Sequence, residues 1–169
     1  MKKTICCAIA LLVAGTGSAQ ESVSEWEITQ QVVAAASAYA TAVSCEHSPI
    51  GPEDVVVISP FTSMDDRSDA EYLVVWQGDI GCLGGSATVT TNVSVIKIGI
   101  GTSYFVDIER SSPTVRISLP QGARLIGSAD NGLVFETREY AQGDANCCPS
   151  IKRRVVVRPD NQGNWQEQK

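Results

Sequence analysis

One histidine, His47, stands beside Glu46 in the chain of 169 residues. A hydrolytic triad needs such a base next to a serine that it can activate. Ser44 and Ser48 are near in sequence, yet nothing like Gly-x-Ser-x-Gly surrounds them. His47 is therefore expected to be a loop or helix-end residue. Acid–base work needs two carboxylates that face each other. Glu53 with Asp54, Asp65 with Asp66, and Asp79 are the acids on offer. Adjacent acids on an extended chain point to opposite sides. Residues 64–72 do not alternate acids around a central glycine as a calcium loop does, so these groups are expected on the solvated surface. The glycine clusters at 81–85 and 99–101 open no helix and precede no Lys-Ser or Lys-Thr. They read as turns, not phosphate cradles. Lys152, Arg153, Arg154 and Arg158 make one basic strand. Alternation puts Lys152 and Arg154 on one face and Arg153 on the other, with Glu136 or Glu139 as cross-strand partners.

Six cysteines remain to be placed. Cys6 and Cys7 fall inside a leader: Lys2 and Lys3, an apolar run over residues 4–13, then Gly15, Gly17, Ser18 and Ala19. That order is a secretory signal cut near Ala19. Its apolar run is about half of the roughly 20 residues a membrane span needs, and no second long run follows. The expected product is one domain, residues 20–169, in the periplasm, with secretion to the medium as the alternative. Cys45, Cys82, Cys147 and Cys148 stay with it. An even number of cysteines in an exported chain reads as two disulfides. Three pairings exist. Neighbouring α-carbons lie about 3.8 Å apart, closer than ordinary disulfide geometry allows. The expectation is thus a crossed arrangement, with Cys45 and Cys82 each bonded to one of Cys147 and Cys148. A Cys45–Cys82 bond with a bond between the neighbours is the other possibility. A zinc site from these cysteines and His47 matches no standard spacing, so no metal or cofactor is expected.

The chain carries a net charge of −6, and loss of Lys2 and Lys3 with the leader makes the domain more acidic still. Nucleic acid demands dense positive charge, and an anionic membrane surface attracts basic segments; neither is an expected partner. A basic protein or an envelope component is.

The elements that must position any site follow from patterning. Ser24-Glu25-Trp26-Glu27 is a capping box. Ile28, Val32, Ala35, Tyr39 and Val43 then fall on one helical stripe, which predicts a helix over 25–44. Everything after Pro52 reads as strands and turns. Strands are expected at 55–59, 72–76, 88–98 (with a bulge near Val95, where the apolar face changes), 104–108, 115–119 and 151–157. Asp130-Asn131-Gly132 is a hairpin turn between Leu125–Ile126 and Leu133–Phe135. A short strand at Trp165 closes the chain. With no second helix to cross over, the expected class is α+β: one N-terminal helix on a mainly antiparallel sheet of hairpins, bridged by disulfides. A β-sandwich or half-open barrel is the alternative.

The segments Trp76–Cys82 and Asp144-Ala-Asn-Cys-Cys-Pro-Ser150 have a further property. The second resembles the Asp-x-x-Cys-Cys-Pro-Ser signature of a family of exported bacterial proteins that includes actinobacterial cell-envelope lipoproteins of unknown function. Ser111-Ser112-Pro113 belongs to the same resemblance, which spans residues 72–165. It implies an exported, disulfide-bonded, β-rich domain, and it carries no catalytic residues. This chain lacks the family's lipid-acceptor cysteine. Together these readings point to a binding protein that catalyses nothing, in concrete form an inhibitor or immunity-type protein masking a basic enzyme. A carboxylate enzyme of envelope polymers and a structural or secretion-accessory component are the alternatives. The expected binding patch is Trp76, Asp79, Asp144, Asn146 and Pro149, gathered by the crossed disulfides.

Overall fold

The computed structural model describes residues 24–84, 88–120, 122–129, 132–145 and 148–168. The expected leader, Asp130, Asn131, Asn146 and Cys147 lie outside them.

Ser24 caps the helix as the sequence predicts. Its Oγ accepts the Glu27 backbone N–H at 3.2 Å, and the Ser24 N–H reaches back to the Glu27 carboxylate at 3.2 Å. Two of the four donors left over at a helix start are thereby satisfied. Helix α1 runs Glu25–Val43. Its fully covered stripe is Ile28, Val32, Ala36 and Ala40, an i, i+4 row that moves from large to small side chains. The expected stripe through Tyr39 and Val43 is displaced by one position. Alanine lets the backbone come close, whereas Tyr39 turns sideways and donates its hydroxyl to the Ser112 carbonyl at 2.8 Å.

Among the described residues eight strands follow: β1 (Val55–Ser59), β2 (Glu71–Gly78), β3 (Thr90–Ile98), β4 (Tyr104–Asp107), β5 (Arg124–Ala129), β6 (Gly132–Glu139), β7 (Ile151–Pro159) and β8 (Trp165–Glu167). They form two four-stranded sheets in sequence order, β1–β4 and β5–β8, every pair antiparallel. The α+β class stands, but two sheets replace the single one expected. One buried cluster takes Leu73, Val75, Val93 and Val95 from the first sheet and Leu133, Phe135, Val155 and Val157 from the second. Another takes Ile28, Val32 and Ala36 of α1 with Tyr72, Val74, Ile96 and Ile98 of the first sheet.

This doubling explains a feature misread from the sequence. The change of apolar face in β3 is not a bulge: its register with β2 is continuous from Glu71↔Lys97 to Gly78↔Thr90. Both faces of β3 are covered, one by each cluster, so alternation is not required. Register slips occur instead in β1, between Val57 and Ser59, and in β5, between Leu125 and Gly127, where Gly127 takes φ 152°, a value that favours glycine.

The expected strand at 115–119 is reduced to one parallel bridge, Ile117↔Trp165, and Ile108 leaves β4 for a 3-10 turn, Ile108–Arg110. The cause is visible in Ser111 and Ser112, both buried. Ser111 Oγ accepts the Val95 N–H at 2.9 Å and donates to the Asp107 carbonyl at 2.7 Å. Ser112 Oγ accepts the Val93 N–H at 3.2 Å and donates to the Val115 carbonyl at 3.1 Å. Where β4 stops, two hydroxyls take over its ladder along β3. The buried donors of β3 are thus paired without a further strand.

Candidate functional site

The residues singled out from the sequence are mostly occupied in holding loops. The chain leaving α1 runs beside the end of β2: Cys45 N–H donates to the Asp79 carbonyl (3.1 Å), Asp79 N–H to the Glu46 carbonyl (2.9 Å) and Ser48 N–H to the Gln77 carbonyl (2.9 Å). That pairing places Cys45 against Cys82, and the two form a disulfide, 37 residues apart in sequence. The crossed arrangement is thereby overturned. Cys45 and Cys82 are spent on each other because backbone pairing brings the helix exit to the end of β2. Cys148 is also disulfide-bonded.

Trp76 is buried, its indole N–H donating to Ser94 Oγ at 3.0 Å. The edge of its ring system meets His47 with centroids 6.3 Å apart. His47 has both ring nitrogens engaged, Nδ1 with the Ser48 carbonyl (2.8 Å) and Nε2 with Thr41 Oγ1 (3.1 Å). Asp79 is buried and accepts from Gly84 N–H and Thr88 Oγ1, both at 3.0 Å. The Gly84 amide above all holds its carboxyl below the usual range. Asp144 does the same in the β6–β7 loop, accepting Ala141 N–H (2.7 Å), Ser150 N–H (2.8 Å) and Ser150 Oγ (3.0 Å). These bonds, Ala141 first, lower its pKa too. Pro149 is half-buried in that loop. Asp66 is pinned by the Thr62 hydroxyl and the Thr62 and Ser63 amides; the Thr62 hydroxyl is the main cause of its lowered pKa. Asp54 accepts the Gly51 N–H at 2.9 Å; burial nonetheless pushes its pKa up. The basic strand is paired as its alternation predicts: Lys152 with Glu136 at 3.3 Å, Arg153 with Glu139 at 2.7 Å and with Glu167. Among the described residues, no cluster of His, Cys, Asp or Glu is arranged to hold a metal ion.

The open concavity lies elsewhere. A cleft of about 320 Å³ enters beside β1, where Ile58, Leu73 and Val95 of the first sheet meet Val115 and Trp165. One wall is polar. Arg110, on the turn after β4, grips the Glu71 carboxylate with both guanidinium arms, Nη2–Oε1 at 2.7 Å, and Lys97 stands 3.9 Å from the same carboxylate. Glu71 holds the Arg110 guanidinium charged, chiefly through that hydrogen bond. Two smaller hollows adjoin β1. One, of about 240 Å³, shares Ile58 and Trp165 with the cleft and continues past Val56 to Leu133. The other, about 180 Å³, opens on the α1 side between Val57, Phe61, Tyr72 and Ile28. A cleft of this size, apolar with a few fixed charges, is the usual form of a ligand site. The arrangement suits seating an apolar group next to a fixed ion pair; among the described residues that line it, no nucleophile and base face each other.

The sequence held a signal for this place. The run Val55-Val56-Val57-Ile58 is β-branched throughout and does not alternate. Trp165, however, sits more than a hundred residues away, and only the tertiary fold brings it to Ile58.

No protein-family model, curated protein or solved structure matches this chain.

Proposed function

We propose that this is an exported, non-enzymatic binding protein of the bacterial envelope, and that the cleft beside β1 is where it takes an apolar group of its ligand. The carrying observation is the cleft itself: apolar side chains from both sheets converge there beside the Glu71–Arg110 pair and the Glu109 carboxylate. On this reading the sheets face each other as a sandwich, with α1 on the outer side of the first, and the site is the gap at their open margin. The leader at residues 1–19 directs the chain to the periplasm. The Cys45–Cys82 bond and the absence, among the described residues, of any helix long and apolar enough to cross a membrane are compatible with that compartment. The likeness of residues 144–150 to exported envelope proteins supports the same placement. An inhibitor or immunity-type protein is the concrete form of the proposal.

A neutral fluorescent probe, N-phenyl-1-naphthylamine, tests it. The oxidised domain is expected to take up the probe saturably. Trp165→Phe should keep directly excited probe fluorescence but lose the part transferred from Trp165, leaving only what Trp26 and Trp76 pass on. Val115→Trp, which fills the cleft, should weaken uptake about tenfold, roughly 1.4 kcal/mol. Uptake without saturation, or energy transfer indifferent to Trp165, would reject the cleft as the site.

A further inference from the structure

Four strands stand at sheet edges: β1, β4, β5 and β8. Natural proteins guard such edges, most often with charge, because unpaired amide and carbonyl groups invite another strand. Asp107 lies in β4, Arg124 in β5 and Glu167 in β8. β1 reads Val-Val-Val-Ile-Ser and carries no charge. Val57 and Ile58 are 46 and 53% exposed, and no described strand pairs with its outer side. The cleft and both hollows touch this one strand, on its two faces. Val56 and Ile58 border only the inter-sheet side, and Val56 packs in the core between the sheets; Val57 is the one of the three that reaches the α1-side hollow, and it also touches the rim of the inter-sheet one. A strand laid along β1 would send alternate side chains to those two sides.

Charge selects the occupant. Glu53 and Asp54 precede β1, and Asp65, Asp66 and Asp69 follow it; Arg67 is the one base in that stretch. Asp66 stays ionised because its carboxylate accepts three bonds. Glu25 lines the α1-side hollow. A second copy of this chain would bring acids against acids, whether the two β1 strands ran parallel or antiparallel. A segment with basic ends meets opposite charge at both.

We propose that β1 accepts an extended, basic-flanked peptide segment of a partner protein as a fifth strand of the first sheet. Main-chain pairing supplies the affinity, and the cleft and hollows read alternate apolar side chains. This rests on the reading of the cleft as a recognition site and names what occupies it.

A ten-residue peptide of valine and leucine alternating with threonine, with two lysines at each end, is the probe. By calorimetry the protein should bind it at least about tenfold more tightly than the same peptide with glutamate ends, a preference that shrinks with salt. N-methylation of alternate amides should abolish binding in one phase and spare it in the other, since only one edge of the added strand faces β1. Val57→Lys should weaken binding at least about tenfold. The methylated peptides are read against the unaltered protein, so they decide the matter even if that variant folds poorly. Equal affinity for both charge forms, indifference to methylation phase, or dimerisation of the protein through β1 would each overturn the proposal. If the neutral probe enters the cleft while no peptide binds, this inference falls and the binding function stands. If neither binds, both fall.

Discussion

The first sheet ties its strands with buried polar side chains and with one carboxylate, Glu71, that Arg110 and Lys97 share; the second relies on ion pairs along its surface. In the first, Ser111 and Ser112 continue the ladder of β3 from the side, Trp76 donates to Ser94, and Gln77 bonds Thr91 and the Ala123 carbonyl. The Cys45–Cys82 bond closes the same end. In the second, β6 and β7 pair without a slip from Leu133↔Val157 to Glu139↔Ile151, and Lys152, Arg153, Glu136, Glu139 and Glu167 lace the outside. The difference shows how each sheet meets solvent. Surface ion pairs contribute little to stability, but they make a strand a poor template for another chain. The first sheet places its surface charges on β2, β3 and the turn after β4, and leaves β1 without a charged side chain.

The sharpest way to break this contrast is through the core the sheets share. Phe135 is fully buried among side chains of both, and Phe135→Ala should cost about 3–5 kcal/mol. Chemical denaturation followed by tryptophan fluorescence and far-ultraviolet dichroism should show both sheets lost in one transition. Separate transitions would mean that the sheets are energetically independent. Next in size is removal of the disulfide. Cys45→Ser with Cys82→Ser should lower stability by about 2–4 kcal/mol, and hydrogen exchange should quicken first at residues 45–48 and 77–79. Ser111→Ala comes third. It leaves the buried Val95 amide unpaired, at a cost of about 1–3 kcal/mol, whereas Arg153→Ala on the second sheet should barely move the denaturation midpoint. A larger loss at Arg153 than at Ser111 would reverse the comparison.

The smallest effect is pH dependence. Asp79, just past β2, and Asp144, between β6 and β7, have folded pKa values below their unfolded ones. Each therefore contributes stability that is present above the ordinary carboxylate pKa of about 4 and is lost as pH falls through the depressed folded value. Asp79→Asn should flatten the acid limb of the stability curve at Gly84 and Thr88, and Asp144→Asn should flatten it at Ala141 and Ser150. Local exchange rates measured from pH 5 downward would separate them.

Several elements were legible in the chain because their causes are local. The capping box at Ser24 and Glu27, the clean alternation of Tyr104 and Val106, and the cross-strand pairing of Lys152 and Arg153 depend on neighbours a few residues away or on one adjacent strand. The strand expected at 115–119 did not form, because Ser111 and Ser112 pair the β3 amides with side-chain bonds that no apolar pattern reports. Two acids of the expected binding patch turn out to be engaged in their own loops. Asp79 and Asp144 look available in sequence, yet short loops fold back to saturate both carboxylates.

By itself the sequence determined the α+β class, the helix with its cap, most strands and the acidic surface, since periodicity, capping and charge are written in residue order. The tertiary structure alone decided that there are two sheets, that Cys45 pairs with Cys82, and that Ile58, Leu73, Val95, Val115 and Trp165 enclose a cleft at an uncharged edge. Those outcomes depend on which distant surfaces meet, and a linear pattern of apolar residues states that a face will be buried without stating what will cover it.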